Sequence, residues 1–360
     1  MTRLLVLNPG STSTKAAVYS DGHCEGKTTI VHYADELDQY SHIMQQYSFR
    51  TEAVRGWLFN QGLTRLPFDG IMARGGLLSP IPSGTYLVND AVLDDLRHCR
   101  YGVHASNLAA LMADEFSKAW EIPAFIADPV VVDELQDAAR VSGHPEIERR
   151  SIFHALNQKA AARKAAERLQ RTYSGAHLIV AHLGGGISVG AHYQGRVIDV
   201  NNALDGEGPM SPERAGTLPV TGLIRHVFRT GIQKEQLYRR LVGQGGLVAH
   251  LGSNDGREIE ERIVAGDARA RQIYDVMAYQ IGKEIGRCSM VLRGCVHGIV
   301  LTGGLAHSHY LVEKIKHFID WIAPVIVLAG ENELQALAEA GFRVFEANEQ
   351  ARVYPSGRFV

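Results

Sequence analysis

The residues with the clearest chemical potential stand in a row, Asn8-Pro9-Gly10-Ser11-Thr12-Ser13-Thr14-Lys15, directly after the apolar run Leu4-Leu5-Val6-Leu7. Small residues let a backbone come close to a polyphosphate, and hydroxyls and peptide N–H groups supply donors. Ser11 and Ser13 would donate hydroxyls, and Lys15 adds a point charge. The G-x-x-x-x-G-K spacing of a Walker loop is absent, and a strand-like run follows where a Walker loop needs a helix. A plain Ser/Thr-rich hairpin would use the same residues. A second turn, His182-Leu183-Gly184-Gly185-Gly186-Ile187-Ser188, carries no side chain over three positions. Three glycines weaken a hairpin, so close approach of a ligand explains them better than a flexible turn does. A third pair, Gly303-Gly304, ends the apolar run 298–301. Ligands of open α/β folds sit at the carboxyl ends of strands, which makes this pair a candidate adenine or ribose contact.

Three further residues interrupt apolar strands or open helices. Arg74 ends the run 69–73 ahead of Gly75-Gly76, where its guanidinium could meet an anion. Asp128 ends a strand and precedes Pro129, and His154 falls in the first turn of an Ala-rich helix expected over 151–170. A surface ion pair, a turn-capping aspartate and a core histidine are their plainer readings. The stretch 201–214 is long, rich in Gly and Pro, and without strand or helix period; such loops in compact domains are usually functional. Arg214 at its end could swing onto a transferring phosphoryl group.

The elements that must position these residues read as α/β. Strand-like runs lie at 3–7, 15–19, 69–73, 124–127, 177–181, 298–301 and 324–328. Helical patterns lie between them. One is capped by Ser106 or Asn107, and one over 267–292 has a stripe of Ile273, Met277, Ile281, Ile285 and Cys288 that suits a core or a dimer interface. The chain also resembles itself. Leu4-Leu5-Val6-Leu7-Asn8 aligns with Leu178-Ile179-Val180-Ala181-His182, about half the chain later, and Ala17-Val18-Tyr19 aligns with Ala191-His192-Tyr193 in the same register. Two strand–turn–strand units at half-chain spacing suggest a duplicated domain with one turn per half facing a shared cleft.

Composition narrows the classes. The 360 residues exceed the usual single-core size, 45% are hydrophobic and 21% charged, and the formal net charge is −2. No basic run suggests nucleic acid or an anionic membrane surface, and apolar runs are strand-sized. Four scattered cysteines without a C-x-x-C pair and a start without signal-peptide architecture suggest a cytoplasmic protein.

In this order the motifs resemble the acetate kinase/butyrate kinase family. The resemblance runs from Asn8 to Lys15 through Arg74-Gly75-Gly76, Asp128-Pro129, His154, and Ala181 to Ser188. It continues over Asp199 to Pro209, Ser211-Pro212-Glu213-Arg214, Asn254-Asp255, Thr302-Gly303-Gly304, and Gly330-Glu331-Asn332-Glu333. It implies two duplicated ribonuclease H-like (actin-like ATPase) domains with an interdomain cleft. The first would span 1–148 with a segment from about 335 to 360 packing back, and the second 149–334, with nucleotide binding and dimerisation. NPGSTSTK, SIFHALN and HLGGG follow the butyrate kinase variant rather than the acetate kinase one. Gly76 then leaves room for extra methylenes, each worth about 0.8 kcal/mol.

The reaction implied is acyl phosphate + ADP ⇌ carboxylate + ATP, with Mg²⁺. The resemblance gives Arg74, Gly76 and Phe153 to the acid or acyl phosphate. It gives Arg74, Asp128, His154 and Arg214 to catalysis. Asn8, Ser11, Ser13, Lys15, His182, Gly184, Gly185 and Gly186 would meet ATP phosphates, and Asn254, Asp255, Gly303 and Gly304 the nucleoside. Asn8 with Glu333 or Glu331 would hold Mg²⁺ directly or through water. A homodimer or larger assembly is implied as well. Acetate, propionate or a branched acid as substrate, and a non-catalytic ATPase switch like actin or a chaperone, remain alternatives.

Overall fold

The computed structural model describes residues 1–347, 349–355 and 358–359, the last two as backbone. The tip of the expected 335–360 segment therefore lies partly outside the described residues. The chain forms two compact units, residues 1–132 with 332–360, and residues 133–331.

Unit 1 is built on β1 (Arg3–Pro9), β2 (Ser13–Ser20), β3 (His23–Val31), β4 (Gly70–Arg74), β5 (Thr85–Leu87) and β6 (Ala124–Ala127). Leu4, Leu5, Val6 and Leu7 all have zero exposure, as an apolar run must when both sheet faces are covered. β1–β2–β3 form an antiparallel meander, while β4 is parallel to β1 and β6 is parallel to β4. Unit 2 repeats this with β7 (His177–Leu183), β8 (Ile187–Tyr193), β9 (Arg196–Val200), β10 (Gly298–Gly303) and β11 (Val325–Ala329). Its order β11-β10-β7-β8-β9 matches β6-β4-β1-β2-β3, and pairing directions agree strand by strand. Both meanders carry a register irregularity at equivalent places, Val18/Tyr19 and Ala191/His192. The self-similarity of the sequence is thus a duplicated α/β fold of the actin-like ATPase type, with the second strand one residue out of the sequence register: Lys15 pairs with Asn8 and Ser188 with His182, so Val18 answers to Ala191. β12 (Arg352–Val353) and β13 (Arg358–Phe359) extend the first sheet beyond β5.

Each unit borrows a helix from beyond the other's last strand. Helix Ala155–Arg168 follows β6 in the chain but packs on β7 and β10. Helix Glu333–Phe345 follows β11 but packs on β1 and β4. The start of each helix brings polar residues to the end of its unit's central strand.

Two expectations shift. Residues 133–148, expected with the first domain, belong to unit 2: buried Lys159 pairs with Glu134 at 2.7 Å, and Gln136 N–H donates to Ile198 O. The helix expected from 151 starts at Ala155, with His154 at its N-cap and its ring turned away from the helix. Helix Ala268–Val291 is capped by Asp267, and its stripe of Ile273, Met277, Ile281, Ile285 and Cys288 lies in unit 2's core. That stripe is spent on folding. Among the described residues no helix is long and apolar enough to cross a membrane.

Candidate active site

In unit 1 the polar residues gather where β1 and β4 end. Asn8, only 2% exposed, donates from Nδ2 to Glu333 Oε2 at 2.6 Å. Arg74 closes the triangle: its Nη1 lies 3.1 Å from Glu333 Oε1 and 3.3 Å from Asn8 Oδ1. The other edge of this guanidinium, Nε and Nη2, meets no hydrogen-bond acceptor among the described residues. That edge is the fork that binds a carboxylate side-on. Asp128 follows β6 with φ +38°, a left-handed conformation uncommon for residues other than glycine. Its Oδ1 accepts from Ser83 Oγ at 2.6 Å and Gly84 N at 2.9 Å.

The turn after β1 rests on a residue that sequence reasoning missed. Arg50, of zero exposure, donates to Gly10 O, Ser11 O, Ser13 O and Thr14 Oγ1, while Gln46 takes its remaining N–H groups. No carboxylate pairs with it among the described residues, and burial pulls its pKa down. A trans peptide points N–H opposite to C=O. Carbonyls drawn inward toward Arg50 therefore turn the Ser11 and Thr12 N–H groups outward. Ser11, Thr12 and Lys15 are all exposed. A lone arginine 40 residues beyond a turn leaves no sequence signal; only its burial identifies it.

In unit 2 the equivalent of Asn8 is His182, 2% exposed. Its ring stacks on His154 with centroids 3.9 Å apart. Asn157 Nδ2 lies 2.9 Å from His182 Nδ1, and Glu331 Oε1 lies 3.1 Å from its Nε2. His154 Nδ1 lies 2.9 Å from Ser188 Oγ. The 201–216 loop is pinned rather than free to swing. Ser211 Oγ donates to Gly185 O at 2.6 Å, Glu213 N–H donates to the same carbonyl, and Arg214 N–H donates to Ser211 Oγ. The Arg214 guanidinium donates to Ala203 O, and its pKa is lowered by burial.

The glycines need correction. A Cβ on Gly186 would stand 2.0 Å from Arg214 Nη1, and one on Gly184 would stand 3.0 Å from Glu331 Oε1. Only Gly185 of the three is exposed, so the bare turn mainly admits the protein's own side chains. Gly76 does not open an acyl pocket: its Cβ place is filled by Asn107 and Leu96 at 2.7 Å. Gly75 is likewise pressed on Pro129. Phe153 is 2% exposed and has almost no surface to give a substrate. Gly303, at φ +92°, would strike Leu183 O at 2.3 Å, whereas a Cβ on Gly304 meets nothing within 4 Å. Asp255 caps helix Gly256–Val264, and Asn254 donates to Glu213 Oε1. Of the two glutamates, Glu333 meets Asn8 and Glu331 meets His182.

The Asn8 amide oxygen and the Glu333 carboxylate share Arg74 Nη1 as a neighbour, and two such oxygens would serve Mg²⁺, which keeps most of its waters and takes few protein ligands. Among the described residues no cluster of three or more His, Cys, Asp or Glu forms an all-protein cage. The donors at Asn8 and Glu333 fit a metal completed by water and phosphate.

Residues 144–353 match the model of the acetokinase family. Among solved structures, an acetate kinase of Porphyromonas gingivalis superposes with TM-score 0.75 at 19% identity, over 96% of this chain and 100% of the other. A propionate kinase of Francisella tularensis subsp. tularensis gives 0.74 at 19% identity, over 94% and 99%. An acetate kinase of Entamoeba histolytica gives 0.73 at 17%, over 96% and 100%. The family match covers more than half of the 360 residues, and the chain belongs to the acetokinase family, phosphotransferases with a carboxyl group as acceptor.

Proposed function

We propose that the protein reversibly transfers the γ-phosphoryl group of ATP to a short-chain carboxylate, with butyrate as the preferred acid. The Asn8–Glu333–Arg74 triangle carries the reading: an oxygen donor set for a hydrated cation adjoins a guanidinium whose carboxylate-binding edge is open. The acceptor is already ionised at neutral pH, since carboxylic acids of this kind have pKa values near 4–5. No general base is needed. Catalysis becomes positioning and stabilisation of charge in an in-line transfer.

Arg74 holds the carboxylate, or the acyl phosphate in reverse, through Nε and Nη2. Asn8 and Glu333 would hold Mg²⁺ directly or through water, and the ion would supply positive charge against the phosphates. Asp128, fixed by Ser83 and Gly84, orients water, because the acid has no proton to remove. Lys15 and the outward N–H groups of Ser11 and Thr12 take phosphate oxygens, with the Ser13 hydroxyl. His154, His182 and Arg214 stabilise the equatorial oxygens of the transferring group, and Gly304 leaves the nucleoside room.

The NPGSTSTK, SIFHALN and HLGGG variants support butyrate. A second reading, acetate or propionate, is favoured by the filled space at Gly76. Acyl hydroxamate formation from ATP and straight and branched acids of two to six carbons separates them. A maximum at butyrate is expected, with discrimination of roughly 10-fold per carbon. A maximum at acetate or propionate overturns the chain length. ATP turnover indifferent to every acid overturns the kinase.

A further inference from the structure

Behind His154 a buried chain of hydrogen bonds runs along β8 from Ser188 to His192 through Gln158, and the direction of each link follows from one fixed acceptor. Gln158 Nε2 lies 3.0 Å from the Ser188 carbonyl and 2.7 Å from Ser188 Oγ. A carbonyl can only accept, so the amide nitrogen of Gln158 must face it, and both amide protons are spent on Ser188. Gln158 Oε1 then faces His192 Nε2 at 3.0 Å, and that nitrogen must carry a proton. His192 Nδ1 is left as an acceptor, which Tyr173 OH meets at 2.8 Å. Burial agrees: His192 has zero exposure, and its pKa is held well below the usual histidine value by desolvation and then by Lys159. One neutral tautomer of His192 fits its surroundings.

The same logic reaches His154. Ser188, of zero exposure, already accepts from Gln158 at Oγ. Among the described residues its own proton has one acceptor in reach, His154 Nδ1 at 2.9 Å. If Nδ1 carried a proton, the Ser188 hydroxyl would be left as a buried donor without an acceptor. Stacking on His182 at 3.9 Å also disfavours two charged rings. Helix Ala155–Arg168 thus supplies Asn157 to one imidazole and Gln158 to the chain behind the other.

We propose that Ser188, set by Gln158, His192 and Tyr173, is a positioning residue that holds His154 as the neutral Nε2–H tautomer, so that His154 presents a hydrogen-bond donor to a phosphoryl oxygen. The phosphoryl partner rests on the function proposed above; the tautomer does not. A neutral donor needs no protonation event to stabilise developing charge, and its orientation is fixed before substrate arrives.

Long-range ¹H–¹⁵N spectra of histidine-labelled protein test the tautomer directly. The expected result is an unprotonated Nδ1 and a protonated Nε2 on His154, assigned by the loss of its signals in H154Q. A protonated Nδ1 in the wild-type protein overturns the proposal, and this measurement needs no Ser188 variant to fold. Ser188→Ala should mix the tautomers and lower kcat on the order of 10- to 100-fold, the usual loss when an orienting partner of a functional histidine is removed. KM for ATP should stay unchanged, and Ser188→Thr should restore both tautomer and rate. A Ser188→Ala protein that keeps a pure Nε2–H signature overturns the role of Ser188. The expected tautomer together with an H154Q enzyme of full activity leaves the chain standing and removes the phosphoryl role instead.

Discussion

In unit 1 the turn after β1 is held from beneath, by buried Arg50 gripping the carbonyls of Gly10, Ser11 and Ser13. In unit 2 the turn after β7 is held by neighbours from the 201–216 loop, with Ser211 and Glu213 on Gly185 O and Arg214 against Gly186. Both units share strand order and a helix taken from the other half of the chain. They differ in the residue that ends the central strand and in what that helix brings to it. Asn8 meets the carboxylate of Glu333, whereas His182 meets the amide of Asn157. One scaffold therefore gathers an amide, a carboxylate and a guanidinium at the strand end in one copy. In the other it gathers two stacked imidazoles beside an amide and a carboxylate.

The sharpest way to break this contrast is to remove the carboxylate from unit 1. Glu333→Ala should lower kcat by roughly 100- to 1,000-fold, the size of loss seen when a charged or dipolar group acting on the transition state is deleted. The Mg²⁺ concentration needed for half-maximal rate should rise in the hydroxamate assay. Glu331→Ala should leave that Mg²⁺ dependence unchanged, because Glu331 pairs with His182. Equal effects of both substitutions would erase the division of labour between the two units.

Next in size is the support of the first turn. Arg50→Met leaves the Gly10 and Ser11 carbonyls without their donor, while Ser13 O keeps the Gly10 N–H; each unsatisfied group costs about 1–3 kcal/mol, so a loss on the order of 3 kcal/mol is expected in urea unfolding. Arg50→Lys keeps the charge but not the planar fork. It should recover part of the stability and still raise KM for ATP, because one ammonium cannot orient three carbonyls. An unchanged KM in a folded Arg50→Lys protein would show that the turn keeps its shape without the guanidinium.

The β1 and β7 runs, the repeat and the small-residue turns were legible because they follow from local pattern: apolar period, turn residues and register. What supports them was not. Arg50, Gln158, Ser188 and His192 are ordinary residues in the sequence, and their roles come from burial and long-range contact. Glycine misled in a consistent way. Bare backbone at Gly76, Gly184, Gly186 and Gly303 suggests space for a ligand, but the protein's own atoms fill it. A sequence shows that a side chain is missing without showing what took its place. The start of helix Ala155–Arg168 was misplaced for a related reason. Ser151 is a good capping residue by type, but His154 leaves the helical path to reach Ser188.

The smallest expected effects test the two turns at one glycine of each. A methyl on Gly186 would stand 2.0 Å from Arg214 Nη1 and 2.7 Å from its Cζ, so the guanidinium must move. The obstacle is the far end of a flexible side chain, and the cost in stability should stay near 1–3 kcal/mol. The rate should fall roughly 10-fold, because Arg214 is displaced rather than removed and each 1.36 kcal/mol of transition-state binding is worth tenfold. A methyl on Gly10 meets Ser13 O at 3.6 Å and Ser13 Oγ at 3.7 Å, ordinary contact distances. Gly10 is also absent from the positive-φ glycines, so alanine should be accepted there within about 1 kcal/mol. Melting temperature and kcat of Gly186→Ala and Gly10→Ala, measured side by side, settle the point. A Gly10→Ala enzyme that loses more activity than Gly186→Ala would mean that a ligand, and not the protein, occupies the space above the first turn.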